Sequence, residues 1–152
     1  MTTRAYVAVG ANLGDARAAV AQAVLDLDDL PQTRVVARSS LYRSAPFEAS
    51  GPDFINAVAA LDTELDAPAL LDALQQLEQR AGRERPYRNA PRTLDLDLIL
   101  HGDTMLDTPT LTLPHPRMDE RAFVLQPLAE IAPERVTPAA LATVAGQRIE
   151  RL

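Results

Sequence analysis

Two aspartates stand inside a run of aliphatic residues in "PRTLDLDLIL", Pro91 to Leu100: Asp95 and Asp97. Extended backbone sends alternate side chains to opposite faces. Leu94, Leu96, Leu98 and Leu100 then share one face, and Thr93, Asp95, Asp97 and Ile99 the other. The leucine face reads as core. The second face carries two like charges roughly 7 Å apart at strand rise. Aspartate is depleted in strands, and neighbouring carboxylates repel unless a cation compensates. Just upstream lies a basic loop, "RERPYRNAPR", with Arg83, Arg85, Arg88 and Arg92. Two readings are open. The acids and arginines can form ordinary surface ion pairs, which are worth little. Alternatively, the acids hold Mg²⁺, which takes one or two carboxylates plus phosphate oxygens. The arginines would then neutralise the remaining phosphate charge through forked hydrogen bonds.

A second cluster is "PDFINA", with Phe54 and Asn56 two residues apart. On a strand both lie on one face. An amide presents donors and an acceptor together and so suits the edge of a heterocycle, and Phe54 and the distant Phe123 could stack on such a ring. Core packing for the rings and a satisfied strand amide for Asn56 are the plainer alternatives. The third feature is "LPHP", where His115 sits between prolines in a rigid extended loop. It is either a hydrogen-bonded loop histidine or a site residue. His101, at the strand end, reads as structural. With two histidines and no cysteine, no zinc site is expected.

Composition narrows the chemistry further. All 15 basic residues are arginine. Without lysine there is no Schiff base or pyridoxal-phosphate chemistry and no Walker-type phosphate loop. "GANLG" has two glycines but not the dinucleotide fingerprint, and no Gly-x-Ser-x-Gly elbow occurs. The net charge of −6 disfavours broad nucleic-acid binding. No apolar run approaches 18 residues, and the N-terminus runs straight into a strand-like segment without a signal-peptide pattern. Zero cysteines fit a cytoplasmic protein. The length fits one domain, residues 1–152.

These residues need elements to position them. "AYVAVG", 5–10, reads as a first strand, followed by a helix from Asp15 to about Leu30, stopped by Pro31. "RVVARSSLYR", 34–43, reads as one strand and "FINAVAALDTEL", 54–65, as another. Asp66 caps a helix whose stripe is Leu70, Leu71, Leu74, Leu77 and Ala81, ended by Gly82. The Asp95/Asp97 strand follows. Residues 103–116 read as short strands or loop, 117–132 contain a short helix around Phe123, Leu125 and Leu128, and the tail from 136 is weakly specified. The order β-α-β, β-α-β, then an appendage predicts an α+β sandwich of ferredoxin-like βαββαβ type. Its sheet is mostly antiparallel, with helices on one face and the other face free to carry a site.

Taken in order, "YVAVGANLGD", "SSLYRSAPF", "DFINAVAAL", "LEQRAGRERPYRNAPRTLDLDLIL" and "LTLPHPRMDERAFVLQPLAEIAP" resemble the 6-hydroxymethyl-7,8-dihydropterin pyrophosphokinase family of folate biosynthesis. The resemblance covers roughly residues 5–135, and its most specific piece is "RNAPRTLDLDLI". It implies transfer of the β,γ-diphosphate of ATP to the pterin hydroxymethyl oxygen, with two Mg²⁺ held by Asp95 and Asp97. No dedicated side-chain base stands out other than Asp97. The same matching implies that Arg83 and Arg92 grip phosphates and that Phe54 and Phe123 stack on the pterin. Asn56 is expected to read the pterin edge, with Pro46 among the substrate-binding residues. Gln75, Glu78, Arg88, Thr112, His115 and Arg121 are expected at the nucleotide site, and the backbone from Leu98 to Leu100 near adenine. Loops after the first strand, at 44–53 and at 83–91, are expected to close over the substrates. Phe54 stands where some members carry Tyr. Asn89 stands where members often carry Trp, which predicts a looser seal, and Thr110 where some offer Arg, which predicts weaker hold on ATP. A monomer is expected. The competing readings are a ferredoxin-like nucleotide or metabolite sensor without catalysis, and a metal-dependent nuclease.

Overall fold

In the computed structural model the chain is described over residues 2–45, 52–83 and 94–152, without the side chain of Arg83. Alternation in "TRAYVAVGA" makes β1 (Thr3–Ala11), whose odd residues Val7 and Val9 and even residues Tyr6 and Ala8 are buried on opposite sides. Asp15 caps α1 (Ala16–Asp28) by accepting from the Ala18 N–H at 3.1 Å. The helix buries Val20, Ala23, Val24 and Leu27.

The segment expected as one strand is two: β2 (Thr33–Arg38) and β3 (Tyr42–Ser44). Both pair antiparallel with β4 (Phe54–Thr63). At the break, Ser39 replaces the ladder: its N–H donates to the Val58 carbonyl and its hydroxyl accepts the Val58 N–H, each at 2.9 Å. The backbone groups stay satisfied while the strand changes direction. Asp66 caps α2 (Ala67–Arg83), accepting from the Ala69 N–H at 2.9 Å, and Leu70, Leu74 and Leu77 face inward.

β5 (Asp95–His101) completes a sheet of order β5-β1-β4-β3, with β2 also on β4 and the tail strand β8 (Ile149–Arg151) on the outer edge of β3. Every pairing is antiparallel. A short ribbon, β6 (Leu106–Asp107) with β7 (Thr112–Leu113), leads into α3 (Ala122–Ile131) and α4 (Pro138–Thr143). With β2 and β3 counted as one interrupted strand, this is the expected ferredoxin-like βαββαβ order with a C-terminal appendage.

Two cores sandwich the sheet. On one side α1 and α2 pack on Val7, Val9, Ala57, Leu61, Leu96 and Leu98. On the other, α3 and α4 cover Tyr6, Ala8, Val58, Ala60, Ile99 and Leu100. The sequence predicts a free second face; instead the appendage covers part of it, because α3 and α4 bury the apolar residues Tyr6, Val58, Ala60, Ile99 and Leu100 there. The leucine face also ends earlier than expected. Val7 pairs Leu98 and Tyr6 pairs Leu100, so Ile99 is an extra residue in a bulge. The bulge turns Leu100 away from Leu94, Leu96 and Leu98 and into the second core.

Among the described residues no helix is long and apolar enough to cross a membrane.

Candidate active site

Paired residues on antiparallel strands point to the same face, so the second face of the sheet can be followed row by row. The row Ala60–Tyr6–Leu100 is apolar and lies under α3. The next, Val58–Ala8–Asp97, is mixed. The last, Asn56–Gly10–Asp95, is polar on both sides of a residue with no side chain. Past the end of the appendage the sheet thus stops being core and becomes the floor of a cavity.

That cavity has a volume of about 190 Å³. Phe54, Asn56, Asp95, Asp97 and Phe123 line it, together with Arg117 and Arg121. Phe54 and Asn56 share a strand face, as their spacing predicts. Phe123 arrives from the first turn of α3, and the Arg121 guanidinium lies 5.5 Å from its ring centroid, a cation–π distance. Asn56 is buried and donates from Nδ2 to the Ser44 hydroxyl at 2.8 Å. The Nε of Arg121 is buried, with no hydrogen-bond partner among the described residues. A buried guanidinium N–H without an acceptor costs free energy, and an anion in the cavity would supply one.

A second cavity, of about 240 Å³, opens on the other side of Asp97. Its walls are Leu71 of α2, Leu96 and Leu98 of β5, Thr110 and Thr112 of the ribbon segment, and His115. The His115 N–H donates to the Ile99 carbonyl at 3.0 Å, and its Nδ1 accepts the Arg117 N–H at 3.2 Å. That bond leaves the ring proton on Nε2 in the neutral form. Burial pushes the His115 imidazole below its ordinary value. Asp97 pulls it up, Arg121 and Arg117 push it down, and the net direction is down. Asp97 lines both cavities.

Several expected residues fall elsewhere. Glu78 does not line either cavity; its carboxylate accepts the Leu96 N–H at 2.8 Å and so holds the start of β5. Gln75 is exposed on α2 and lines neither. Leu98 lines the second cavity, but Leu100 does not, because the bulge at Ile99 turns it inward. Arg121, expected with the nucleotide residues, lines the first cavity. Pro46, Arg85, Arg88, Asn89 and Arg92, and the side chain of Arg83, lie outside the described residues. Sequence reasoning missed Gly10, Ala8 and Arg117. The first two are small and read simply as strand, and Arg117 was one basic residue among many.

The acids can be weighed as a cation site. Asp95 and Asp97 sit on one face, and their neighbours on β1 are Gly10 and Ala8, too small to cover them. Among the described residues no group of three acidic, histidine or cysteine side chains gathers to hold a metal. Two hard oxygen donors, with no third such side chain beside them among the described residues, fit Mg²⁺, which takes other ligands from phosphate and water.

An α+β domain whose open sheet end joins an aromatic-flanked cavity, a carboxylate pair and arginines has the layout of a small phosphate-transferring enzyme. Comparison with known proteins makes the class specific. The chain matches the family described as 7,8-dihydro-6-hydroxymethylpterin-pyrophosphokinase over residues 6–133. It is 48% identical over 159 aligned positions to the 2-amino-4-hydroxy-6-hydroxymethyldihydropteridine pyrophosphokinase of Pseudomonas aeruginosa, covering 100% of this chain and 98% of that one. The enzyme of the same name from Methylorubrum extorquens is 45% identical, over 88% of this chain and 85% of the relative. Among solved structures, an HPPK-DHPS in complex with substrates superposes with a TM-score of 0.71 at 13% identity. The match spans 94% of this chain but only 43% of that longer one, and at such identity it speaks to the fold alone. A Plasmodium falciparum HPPK-DHPS triple mutant gives 0.68 at 13% identity, over 88% of this chain and 41% of the other. The chain belongs to the 7,8-dihydro-6-hydroxymethylpterin-pyrophosphokinase family, enzymes of folate biosynthesis. It is an ATP-dependent diphosphokinase.

Proposed function

We propose that this chain transfers the β,γ-diphosphate of ATP to the hydroxymethyl oxygen of 6-hydroxymethyl-7,8-dihydropterin, giving AMP and the pterin diphosphate. The carrying observation is that Asp97 lines two cavities of different character. The first is flanked by Phe54 and Phe123 and carries the Asn56 amide, which suits a flat ring with a hydrogen-bonding edge. The second has aliphatic walls of Leu71, Leu96 and Leu98 with Thr112 and His115 at its rim, which suits the base and sugar of a nucleotide. A triphosphate running from the second toward the first passes Asp97.

In the reaction the hydroxymethyl oxygen attacks the β-phosphorus. A new O–P bond forms, the bond from that phosphorus to the oxygen of AMP breaks, and the hydroxyl proton is released. Phosphoryl transfer asks the protein mainly for positioning and charge neutralisation. Phe54, Phe123 and Asn56 fix the acceptor ring. Arg121 and Arg117 supply positive charge beside the path of the transferred group. Asp95 and Asp97 would hold Mg²⁺, which would neutralise charge on the triphosphate. A cation bound there would make two acids tolerable on an otherwise apolar strand. The arginines of the 83–92 segment are proposed to grip the remaining phosphates, and the cytoplasm is the proposed compartment.

The test is AMP formation from ATP and Mg²⁺, with and without the pterin. Pterin-dependent AMP without ADP supports diphosphate transfer. ADP in place of AMP, or ATP bound but left intact in the presence of pterin, would overturn it.

A further inference from the structure

The floor of the first cavity has no side chain at its centre. Gly10 lines the cavity and pairs with Asn56 on one side and Asp95 on the other. Its backbone does not require glycine: positive φ among the described glycines is confined to Gly14 and Gly102. Glycine inside a strand is also less stable than alanine, because it loses more freedom on folding and packs nothing. A residue that neither conformation nor stability favours needs another reason.

The space around it supplies one. A β-carbon on Gly10 would lie 3.3 Å from Oδ1 of Asn56, 3.9 Å from the Phe54 ring and 3.9 Å from the Ile55 carbonyl. Two of those three neighbours are the residues placed against the pterin above. The Asn56 Nδ2 already donates to Ser44. Its Oδ1 is therefore the acceptor that the amide offers the cavity. A methyl at residue 10 would stand in the corner between that oxygen and the aromatic ring.

We propose that Gly10 is a specificity-determining residue: by having no side chain it exposes the Asn56 carbonyl oxygen to the N–H edge of the heterocycle. The ring can then lie against the backbone of β1. This rests on the reading that the first cavity takes the pterin. A substituent at residue 10 leaves a ring N–H buried without its acceptor, the kind of loss that discriminates ligands most strongly. The second cavity does not include Gly10, so the nucleotide should not sense the change.

The experiment uses Gly10→Ala in the full chain. Titration calorimetry measures affinity for 6-hydroxymethyl-7,8-dihydropterin and, separately, for a non-hydrolysable ATP analogue with Mg²⁺. Steady-state kinetics and the melting temperature complete the set. The expected result is a rise of about tenfold or more in the pterin Kd and KM. Affinity for the ATP analogue should stay within about twofold, and the melting temperature should move by no more than a few degrees, since the 3.3 Å contact asks the Asn56 amide to give only slightly. In an Asn56→Ala background the same substitution should add little, because the oxygen it shields is gone. Unchanged pterin affinity in Gly10→Ala overturns the assignment. So does a lower melting temperature with both ligands weakened alike, which is what a purely structural glycine would give. If the unaltered chain itself fails to bind the pterin, the pterin reading of the cavity has failed and the assignment falls with it. Normal pterin binding by both proteins overturns the Gly10 assignment alone.

Discussion

Asp97 is the residue whose position has the most direct consequence. It is partly exposed, stands over Ala8, and borders both cavities. Replacing it with alanine removes a charge from a surface position, so the fold should survive. Asp97→Ala is expected to lower turnover by several orders of magnitude while the melting temperature moves by no more than a few degrees. Activity near the wild-type rate in a discontinuous AMP assay would remove Asp97 from the site. Phe123 offers a milder test at the same scale. Phe123→Ala should weaken pterin binding by about tenfold, the order expected for losing one aromatic face and its buried area. It should leave nucleotide affinity unchanged. The acids were legible in the sequence because a charge inside an aliphatic strand is costly enough to need a reason. Gly10 and Ala8 were not, because a small residue carries no signal of the space it leaves open. Glu78 was expected at the nucleotide site only from the family resemblance, and a sequence match does not show which backbone group a helix-borne acid accepts from. In the fold it holds the backbone at Leu96.

The elements are held at their working distance by contacts that alternation alone does not reveal. Glu130 on α3 accepts the Ser40 N–H at 3.0 Å, the Ser40 hydroxyl at 3.1 Å and the Tyr42 phenol at 2.7 Å. Arg151 of β8 lies 3.5 Å from the same carboxylate. One side chain thus joins the helix that carries Phe123 to β3, which carries Ser44, and to the tail strand. Burial would raise the Glu130 carboxyl, but the bonds from Tyr42 and Ser40 and the nearby Arg151 hold it below its ordinary value. A depressed carboxylate contributes stability that is whole above its unfolded value and is lost as pH falls through the folded one. The Tyr42 phenol is pushed the other way, to about 12, first by burial and then by Glu130. Its contribution is whole below the ordinary value of 10.0 and is lost as pH rises through about 12. Glu130→Gln should therefore cost about 1–3 kcal/mol at neutral pH, a few degrees of melting temperature. It should also flatten the loss of stability at acid pH. A Glu130→Gln protein with an unchanged melting curve at pH 7 and an unchanged acid limb would contradict this role. The sequence had no way to announce this junction, since it joins residues 90 apart in the chain.

At the scale of the whole molecule, the sheet serves two masters. One face is sealed by α1 and α2, the other half-sealed by α3 and α4. The first core was legible from helical stripes and strand alternation. The second was only partly so: α3 was read from its pattern, but the tail gave no sign that Ile149–Arg151 would add a strand beside β3. Three residues are too few for a periodic signal, and an edge strand is chosen by the partner that it covers. Because the second core borders the cavity, loosening it should disturb function before it unfolds the chain. Leu125 is fully buried there. Leu125→Ala is expected to cost about 2–5 kcal/mol and to raise the pterin KM, because α3 carries Phe123. An equally buried change in the first core, such as Leu74→Ala, should cost similar stability with less effect on KM. Thermal denaturation and steady-state kinetics on the two variants distinguish the cores.

The bulge in β5 has a consequence for how this chain tolerates changes of length. Ile99 is the one residue of the strand with no partner in the pairing to β1. Deleting it would leave Val7 opposite Leu98 and Tyr6 opposite Leu100, so both carboxylates would keep their face. The deletion forfeits a buried side chain, yet the reading frame of faces is preserved. Deleting Leu96 does the reverse. The upstream half slides by one position, and Asp95 is carried into the first core beside Val9. The strand can therefore lose a residue at the bulge, but not upstream of it between the aspartates, without losing its chemistry. A protein lacking Ile99 should melt earlier but still form AMP, whereas one lacking Leu96 should do neither job, folding nor catalysis.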